Sequence, residues 1–468
     1  MPLPTPIGRQ KEVLYLPPQD HIVVLGTAGS GKSTMAVWRA AHLANNCTDP
    51  AKRVLLVTFN RMLVRYLASG GQGLLPPSVD VRTYHAFALG YLRHATNKNH
   101  RVISKDYRAV YIQSAITHLR QQFGNQPILQ RPIEMISTEF EWLAKVGIDS
   151  VQEYIKSERV GRTGTIVARK DRPLLFRAYE KYLELRQNAG YDCDWDDMAT
   201  SVLREVGRDN SNSYYQHIIL DEGQDFSPVM LRSLSQAIPG NGSLMFFGDV
   251  AQQIYGTRIS WRSAGLNSPQ IWYFKENYRN SKQIARLGLA ISQLPHFRGE
   301  ADLVEPREPQ ADGPLPALVQ CRDIDQEIEF AVLRAATMGR TQTVAILMRN
   351  RDYEERIDQR LKSKGIAPTR LHRDLSSWSS VPGVYYGTYH SAKGLEFDAV
   401  IMPLCSSDII PSQERIIELG DQEDALAEEG RLIYVAVTRA KKTLIMTFAG
   451  TLTPLLPLDE SLYQKVNL

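Results

Sequence analysis

Residues 21–34, HIVVLGTAGSGKST, contain the pattern that decides the fold. Residues 22–25 form an apolar run suited to a buried strand, and the apolar-rich residues that follow Thr34 suit a helix. The residues between them fit the pattern G-x-x-x-x-G-K-[ST]. Glycines at such a turn let backbone N–H groups surround a phosphate, and the start of the following helix favours its negative charge. The segment therefore predicts an α/β unit with a parallel sheet that binds a nucleotide through this loop.

Each residue of this loop is a candidate contact to the nucleotide. The lysine of the pattern, Lys32, can reach the β- and γ-phosphates, and the hydroxyl of Ser33 can ligate Mg²⁺. A chance glycine-rich turn is the alternative, but the order of strand, loop and helix disfavours it. The candidate nucleotide-binding residues are Gly26, Thr27, Ala28, Gly29, Ser30, Gly31, Lys32, Ser33 and Thr34.

A second apolar run ends in carboxylates at residues 217–225, HIILDEGQD. Burying Asp221 and Glu222 at the end of a strand costs free energy unless a cation lies beside them. In proteins with a phosphate-binding loop, such a pair holds Mg²⁺ and orients the attacking water. We therefore expect Asp221 to ligate the metal together with Ser33, and Glu222 to polarise the water. Taken alone, the pair would fit an acidic helix cap equally well.

The bulk composition describes an ordinary globular protein and excludes few functions. The chain has 468 residues, 43% of them hydrophobic and 23% charged, and this length predicts about three domain-sized units. The net charge of +4 permits nucleic acid as a partner without arguing for it. The four cysteines lie far apart, which disfavours a zinc site or a disulfide framework. With no membrane-length apolar run and no signal peptide, we expect a cytoplasmic protein.

Apolar runs and helical patterns alternate along most of the chain. Strand-like runs occur before residue 95 and again after residue 215, while residues 100–200 carry helical patterns with charged faces. We therefore expect an α/β fold of two parallel-sheet units, the first interrupted by a helical insertion. The predicted strands of the second unit are residues 343–350, 383–394, 398–404 and 442–448.

Further polar clusters stand at the ends of apolar runs or at the starts of helices. Read singly, each has an ordinary explanation: Tyr278 as a packing residue, His390 as a buried histidine, and Arg439 as a solvated arginine at a helix end. Read together and in order, the clusters resemble the motif series of superfamily 1 DNA helicases of the UvrD/Rep/PcrA type. The matching segments are GTAGSGKS at 26–33, VTFN at 57–60, TYHAF at 83–87, DEGQD at 221–225, GDVAQQIY at 248–255, NYR at 277–279, GTYHSAKGLEF at 387–397 and YVAVTRAKK at 434–442.

This resemblance implies an ATP-dependent DNA helicase with two RecA-like domains and ATP bound in the cleft between them. Residues 1–95 and 201–275 would form the first domain, residues 96–200 its helical insertion, and residues 276–468 the second domain. Closing of the cleft on ATP and its release after hydrolysis would then drive movement along DNA in the 3′→5′ direction.

The resemblance also implies roles for individual residues at the ATP site. Gln10 resembles the glutamine that recognises adenine, and Tyr278 resembles the aromatic residue that stacks on it. Gln252 resembles the sensor of the γ-phosphate, and Glu396 resembles the acid that meets the ribose. The implied catalytic residues, which include the two arginines that neutralise the transferring phosphoryl group, are Lys32, Asp221, Glu222, Gln252, Arg279 and Arg439. ATP and Mg²⁺ are the implied cofactors.

A track for single-stranded DNA across both domains is a further implication, with duplex DNA as a candidate partner. The positions that match DNA contacts are Phe59, Thr83, His85, Tyr255, Arg258, Thr388 and His390. Aromatic and hydroxyl side chains with an arginine suit sequence-independent binding of a strand. Thr257 departs from the family, because many members carry a base-stacking aromatic residue there.

The interval between the NYR and GTYHSAKGLEF segments is short for the family. Well-known members carry a large helical domain here, the 2B insertion, but only the 33 residues 351–383 separate the strand at 343–350 from the one near Val384. This leaves a second hypothesis open beside the autonomous helicase. The protein would be a partner-dependent motor, or a nucleotide-gated DNA sensor, that acts with a nuclease or other subunit in DNA repair or in defence against phage.

Overall fold

The computed structural model describes residues 3–47, 53–58, 64, 75–157, 167–208, 215–249, 261, 264–266, 269–295, 309, 311–371, 381–419 and 422–468. The described helices, in chain order, are α1 (Arg9–Leu14), α2 (Lys32–Asn45), α3 (Tyr84–Thr96), α4 (Lys105–Phe123), α5 (Ile133–Val146), α6 (Val151–Lys156), α7 (Arg172–Asn188), α8 (Met198–Val206), α9 (Pro228–Gln236), α10 (Lys282–Ser292), α11 (Ile324–Met338), α12 (Glu354–Ser363), α13 (Gln413–Leu419) and α14 (Gln422–Thr438).

A six-stranded parallel sheet forms the first unit. Its strands, in sheet order, are β3 (Val79–Thr83), β2 (Arg53–Thr58), β4 (Tyr215–Leu220), β5 (Ser243–Gly248), β1 (Ile22–Gly26) and β6 (Gln270–Phe274). The central strands β1 and β5 are buried along their whole length, which explains their continuous apolar sequences. Two apolar clusters, one on each face, pack the helices of this unit against the sheet.

The second unit is a seven-stranded parallel sheet. Its strands, in sheet order, are β13 (Gln464–Asn467), β7 (Ala317–Cys321), β12 (Ala440–Ala449), β11 (Phe397–Met402), β8 (Thr343–Met348), β10 (Gly383–Thr388) and β9 (Thr369–Arg370). Helix α11 packs on one face, while α10 and α14 pack against each other beside the strands. Both units therefore have an α/β fold with a parallel sheet, as the sequence predicted.

Between β3 and β4 the chain leaves the first sheet and forms a helical insertion. Helices α4 to α7 enclose an apolar cluster of their own, centred on Phe140, Tyr179 and Tyr182. Helix α8 packs against α3 and α9, which fixes the insertion to the first unit. Helix α5 contacts both α9 of the first unit and α13 of the second unit. The insertion thus contacts helices of both units.

Several predicted strand ends were wrong. The run predicted as a strand over residues 383–394 leaves the sheet after Thr388, because the polar residues that follow form a turn. The run over 343–350 ends at Met348, and the run over 398–404 ends at Met402, two residues before Leu404 adopts a left-handed φ of 66°. The prediction also lacked the edge strands β6, β9 and β13 and the strand β7. Strands β9 (TR) and β13 (QKVN) are short and largely polar, whereas β6 (QIWYF) and β7 (ALVQC) were missed although their sequences are largely apolar.

In the part of the chain that the structure describes, no helix is both long and apolar enough to cross a membrane. Cys193, Cys321 and Cys405 are buried, and Cys47 is half-buried.

Candidate nucleotide and nucleic-acid site

Three strand ends of the first sheet meet at the phosphate-binding loop. Strands β4, β5 and β1 are parallel neighbours, so their carboxyl ends lie on one edge of the sheet. Asp221 follows β4, Asp249 follows β5, and the loop follows β1. This arrangement brings the hydroxyl of Ser33 to within 3.1 Å of the Asp221 carboxylate, although 188 positions separate the two residues along the chain.

The loop is shaped by two glycines with left-handed backbone conformations. Gly29 has a φ of 80° and Gly31 a φ of 84°, values that residues with a Cβ adopt at a cost. The buried hydroxyls of Thr27 and Ser30 have no hydrogen-bond partner among the described residues. Unpartnered buried hydroxyls beside a glycine turn fit a ligand with several oxygen acceptors, such as a polyphosphate.

Lys32 starts α2 and reaches back over the loop. Its ammonium group donates to the carbonyl of Gly26 at 2.9 Å and to that of Thr27 at 2.7 Å. Burial lowers the pKa of Lys32, although Asp249 and Glu222 oppose the shift. A bound phosphate would add the negative charge that favours the ammonium form. Ser33 and Thr34 follow in the first turn of the same helix.

Gln10 lies against the loop from the other side. It is in the short helix α1, where its amide nitrogen donates to the carbonyl of Ser30 at 3.1 Å. Its amide oxygen accepts from the backbone N–H of Ile7 at 3.1 Å. The side chain is thus held at both ends. A Cβ on Gly31 would come within 2.7 Å of the Gln10 amide nitrogen, so the glycine permits this close approach.

The acidic pair is buried at the end of β4. One oxygen of Asp221 accepts from the Ser33 hydroxyl, while the other is buried and has no hydrogen-bond partner among the described residues. Burial, with the neighbouring charge of Glu222, raises the pKa of Asp221. An orphaned carboxylate oxygen next to a serine hydroxyl is a donor set that suits Mg²⁺, and the cation would supply the missing charge. The residues present therefore fit the implied metal.

Glu222 is held in an unusual backbone conformation. Its φ of 52° is left-handed, which is uncommon for a residue other than glycine and is frequent at functional sites. Gln224 donates to the Glu222 carboxylate at 2.5 Å and accepts from the backbone N–H of Asp249 at 2.9 Å. Although burial disfavours its charged form, Lys393 and Lys32 hold the pKa of Glu222 below its ordinary value. The carboxylate is therefore ionised and oriented, as a group that accepts a proton or orients water must be.

Residues of the second unit face the same edge. Arg439 follows α14, is 1% exposed, and donates to the carbonyl of Val435 at 3.1 Å. Burial and the nearby charge of Arg279 lower the pKa of Arg439 to about 10, so it stays cationic at neutral pH. Arg279 and Glu396 form an ion pair, which Lys441 approaches at 3.5 Å from the Glu396 carboxylate.

The segment that carries Arg279 ties the two units together. The backbone N–H of Tyr278 donates to the carbonyl of Gly29 in the loop at 2.9 Å, and the Tyr278 side chain is 54% exposed. The Asn280 amide donates to the backbone carbonyls of Thr438 at 3.1 Å and Ala440 at 2.6 Å in the second unit. An exposed ring next to the loop is available to a ligand.

The predicted DNA-contact positions that the structure describes, Thr83, His85, Thr388 and His390, lie at the starts and ends of elements. Thr83 ends β3 and caps α3, where its hydroxyl accepts from the N–H of Ala86 at 3.2 Å. His85 lies edge-on to Trp195 of the insertion, with ring centroids 5.2 Å apart. Thr388 ends β10, and its hydroxyl accepts from the backbone N–H of Ser391 at 3.3 Å. His390 follows in the turn, half-buried. Phe59, Gln252, Tyr255, Thr257 and Arg258 lie outside the described residues.

Residues 8–275 match the UvrD/REP helicase N-terminal domain, and residues 368–451 match the UvrD-like helicase C-terminal domain. The first match alone spans more than half of the chain. The chain belongs to the UvrD/REP helicase family. This confirms the resemblance inferred from the motif series, and the two parallel sheets agree with the fold that it implied.

Several named DNA helicases are similar to this chain. ATP-dependent DNA helicase UvrD2 of Mycobacterium tuberculosis is 22% identical over 97% of this chain and 80% of its own length. Putative ATP-dependent DNA helicase YjcD of Bacillus subtilis is 26% identical over 57% of this chain and 34% of its own length. DNA helicase II of Rickettsia typhi is 50% identical over 62 residues, which are 13% of this chain and 9% of its own length.

Sequence reasoning missed one polar contact of this helicase-family site. Lys393 of the GTYHSAKGLEF segment and Asp225 of the DEGQD segment form an ion pair between the two units, and each side chain is 3% exposed. Both residues were inside matched motifs, but no pattern in either motif indicates which residue of the other it contacts. The acidic residue of one motif and the lysine of the other were the only signal in the sequence.

Proposed function

We propose that this protein is an ATP-dependent translocase on single-stranded DNA that moves 3′→5′ and unwinds duplex DNA. The observation that carries the proposal is the composite cleft. The phosphate-binding loop and the acidic pair come from the first unit, while Arg439 and the Arg279–Glu396 pair come with the second. A site divided between two units assembles when they close, so nucleotide turnover and relative movement are coupled.

Residues 26–33 of the loop would hold the phosphates, with Lys32 on the β- and γ-phosphates. Ser33 and Asp221 would hold Mg²⁺, which neutralises phosphate charge when bound. Glu222 would orient the attacking water and accept its proton, and Arg279 and Arg439 would stabilise the charge that develops on the phosphoryl group. Gln252 would sense the γ-phosphate. Gln10, Thr34, Tyr278 and Glu396 would contact the nucleoside.

Single-stranded DNA would cross both units on the side of Thr83, His85, Thr388 and His390, together with Phe59, Tyr255 and Arg258. The domain layout follows: residues 1–95 and 201–275 form the first RecA-like domain, residues 96–200 its insertion, and residues 276–468 the second domain without a 2B insertion. The proposed site of action is the cytoplasm.

A second candidate is a motor that depends on a partner such as a nuclease subunit, in DNA repair or phage defence. It is favoured by the short interval between β8 and β10. The described residues of that interval hold only the ten-residue helix α12 and the two-residue strand β9. A motor with so little structure at this place would leave strand separation, or DNA cleavage, to another chain.

The test is ATP hydrolysis with and without single-stranded DNA, for the wild type and for Glu222→Gln. The substitution keeps the size of the side chain but removes its ability to accept a proton. We expect DNA to stimulate the wild type, and the variant to lose roughly 10²- to 10⁴-fold in kcat, the range for general acid–base groups. Nucleotide binding, measured with a fluorescent ATP analogue, should persist.

Glu139→Gln is the matched control. Glu139 is fully buried in the insertion and accepts from the Tyr154 hydroxyl at 2.6 Å, so the amide can keep this bond. It should retain wild-type turnover. Wild-type hydrolysis that ignores DNA would exclude the DNA-stimulated motor and favour the partner-dependent one. Oligonucleotides labelled at either the 5′ or the 3′ end then give the direction of movement.

A further inference from the structure

Asp225 and Lys393 form the buried ion pair that joins the two units beside the acidic pair. Asp225 belongs to the first unit and Lys393 to the second, and 168 positions separate them in the chain. With 3% of each side chain exposed, water screens this pair little. The pair is therefore a direct electrostatic contact across the cleft.

In the first unit, a short segment of backbone connects Asp225 to Glu222. A single 3₁₀ turn, Gly223–Asp225, connects them, and the backbone N–H of Asp225 donates to the carbonyl of Glu222 at 3.0 Å. The backbone at Glu222 is left-handed, a conformation that persists only when its surroundings hold it. Fixing Asp225 therefore helps to fix the Glu222 carboxylate.

On the second unit, Lys393 belongs to the turn that follows β10. Within this turn the backbone N–H of Ala392 donates to the carbonyl of Thr388 at 3.2 Å, and that of Lys393 donates to the carbonyl of His390 at 3.4 Å. Thr388 and His390 are the proposed DNA contacts of this unit. A DNA strand bound to Thr388 and His390 would therefore also fix the backbone of the turn from which the Lys393 side chain extends.

The energetics of such a pair favour a coupling role over a purely stabilising one. Removing two charges from water costs about as much as their attraction returns, so a buried pair is a poor way to gain stability. Burial raises the pKa of Asp225 to about 6 despite the opposing charge of Lys393, which reflects that cost. Opening of the cleft, which the proposed function requires, would separate the partners and return each to water. The pair would then be formed in one state and broken in the other, as a coupling element requires.

We propose that the Asp225–Lys393 ion pair transmits DNA binding to ATP hydrolysis. DNA on the turn after β10 places Lys393, Lys393 draws Asp225 across the cleft, and Asp225 sets the position of Glu222. Both are positioning residues, since neither is assigned a contact to ATP or to DNA. The inference rests on the proposed function, because it needs DNA to stimulate hydrolysis.

The experiment compares Lys393→Met, Asp225→Asn and the double variant with the wild type. For each we would measure kcat and KM for ATP, with and without a saturating single-stranded oligonucleotide, and the Kd for that oligonucleotide. We expect the ratio of DNA-stimulated to basal kcat to fall by roughly 5- to 150-fold, the usual range for coupling between sites. The double variant should resemble the single variants, because removing either partner already breaks the pair.

Arg186→Met is the matched control. Arg186 forms a buried pair with Asp197 at 2.5 Å inside the insertion, away from the cleft. It should lower the melting temperature yet leave the stimulation ratio unchanged. If Lys393→Met fails to fold, Asp225→Asn tests the coupling role instead, because asparagine has nearly the same size and shape as aspartate.

The outcomes separate the two proposals. A wild type without DNA stimulation would overturn the proposed function itself. If DNA stimulates the wild type but the Asp225 and Lys393 variants keep the ratio of DNA-stimulated to basal kcat, only the coupling role is overturned. Equal loss of basal and stimulated turnover leaves that ratio unchanged and has the same meaning.

Discussion

At the scale of single residues, Asp221 is a carboxyl group buried at a free-energy cost. Burial and the charge of Glu222 raise the pKa of Asp221 to about 7, and one of its oxygens has no partner among the described residues. The unliganded protein therefore bears a free-energy cost at this position above neutral pH. A bound cation would remove it, which is a common trade between stability and function.

Asp221→Asn should make the unliganded protein more stable at pH 8, by up to about 4 kcal/mol, because the pKa of Asp221 is raised by about three units. The folded-state pKa lies above the unfolded value of about 3.9, so the folded state binds more protons. The contribution of Asp221 to wild-type stability is therefore most favourable below about pH 4 and is lost as the pH rises through about 7. The gap between variant and wild type should widen over that window in urea unfolding.

Asp398→Asn serves as the contrast. The Thr343 backbone and hydroxyl both donate to the Asp398 carboxylate, at 3.0 and 2.9 Å, and despite partial burial these bonds hold the pKa of Asp398 below its ordinary value. This carboxylate contributes stability that is present above its unfolded pKa and lost as the pH falls. Asp398→Asn should therefore destabilise at neutral pH. Equal effects of both substitutions would contradict the assignment of the cost to Asp221.

At the scale of elements, α1 depends on α2 for its position. Helix α1 has only six residues, too few to be stable alone, yet it carries Gln10 to the phosphate-binding loop. Arg39 of α2, 1% exposed, donates to the carbonyls of Leu14 at 2.6 Å, Leu16 at 2.8 Å and Pro17 at 3.2 Å. One guanidinium group thus fixes the end of α1 to the helix that begins with Lys32.

Arg39→Met should therefore weaken nucleotide recognition without direct contact to the nucleotide. The substitution removes the hydrogen bonds to three carbonyls, and leaving such a buried group unpaired costs about 1–3 kcal/mol. It also removes the contact that holds the end of α1 against α2. We expect the KM for ATP to rise about tenfold, the preference for ATP over GTP to fall, and kcat to change little. Steady-state kinetics with both nucleotides provide the measurement.

Arg172→Met isolates the structural part of this effect. Arg172 is also buried, and it donates to the carbonyls of Tyr154 at 2.6 Å and Ser157 at 2.9 Å inside the insertion. It should lose stability comparably while keeping the wild-type KM and nucleotide preference. Loss of base preference in both variants, or in neither, would refute the positioning role of Arg39.

At the scale of the whole molecule, the insertion bridges the two units. Helix α5 contacts α9 and α13, and its Glu141–Lys145 pair faces the Arg415–Glu428 pair of the second unit. Burial disfavours ionisation of Glu141, but Lys145, Arg108 and Arg415 hold its pKa below its ordinary value. The charge of Arg415 therefore acts across the boundary between insertion and second unit.

Arg415→Glu should loosen this contact, because it places like charges beside Glu141 and Glu428. A partly exposed ion pair of this kind contributes on the order of 1 kcal/mol. We expect backbone amides of Gln413–Leu419 to exchange with deuterium roughly fivefold faster, as a change of that size implies. Adding Glu141→Lys should restore part of the protection.

Arg360→Glu is the control for charge reversal. Arg360 pairs with Asp325 at 2.8 Å between two helices of the second unit, away from the insertion. It should leave exchange in α13 unchanged. Equal acceleration by both reversals would mean that the α5–α13 contact is not responsible.

The sequence by itself determined the features whose signals are local. Glycines, lysine and serine between a strand and a helix specify a phosphate-binding loop, because backbone conformation there depends on neighbouring residues. Buried central strands such as β1, β4 and β5 appeared as continuous apolar runs. The motif series then identified the family. The short edge strands β9 and β13 carry little apolar sequence and escaped prediction.

The tertiary structure alone decided which distant groups meet. The Asp225–Lys393 pair, the three carbonyls held by Arg39 and the contact between α5 and α13 join segments that have no shared local pattern. Their partners are set by strand order and by the packing of two sheets and an insertion. The cost of burying a charge depends on those surroundings, so the raised pKa of Asp221 and the lowered pKa of Glu222 also follow only from the folded arrangement.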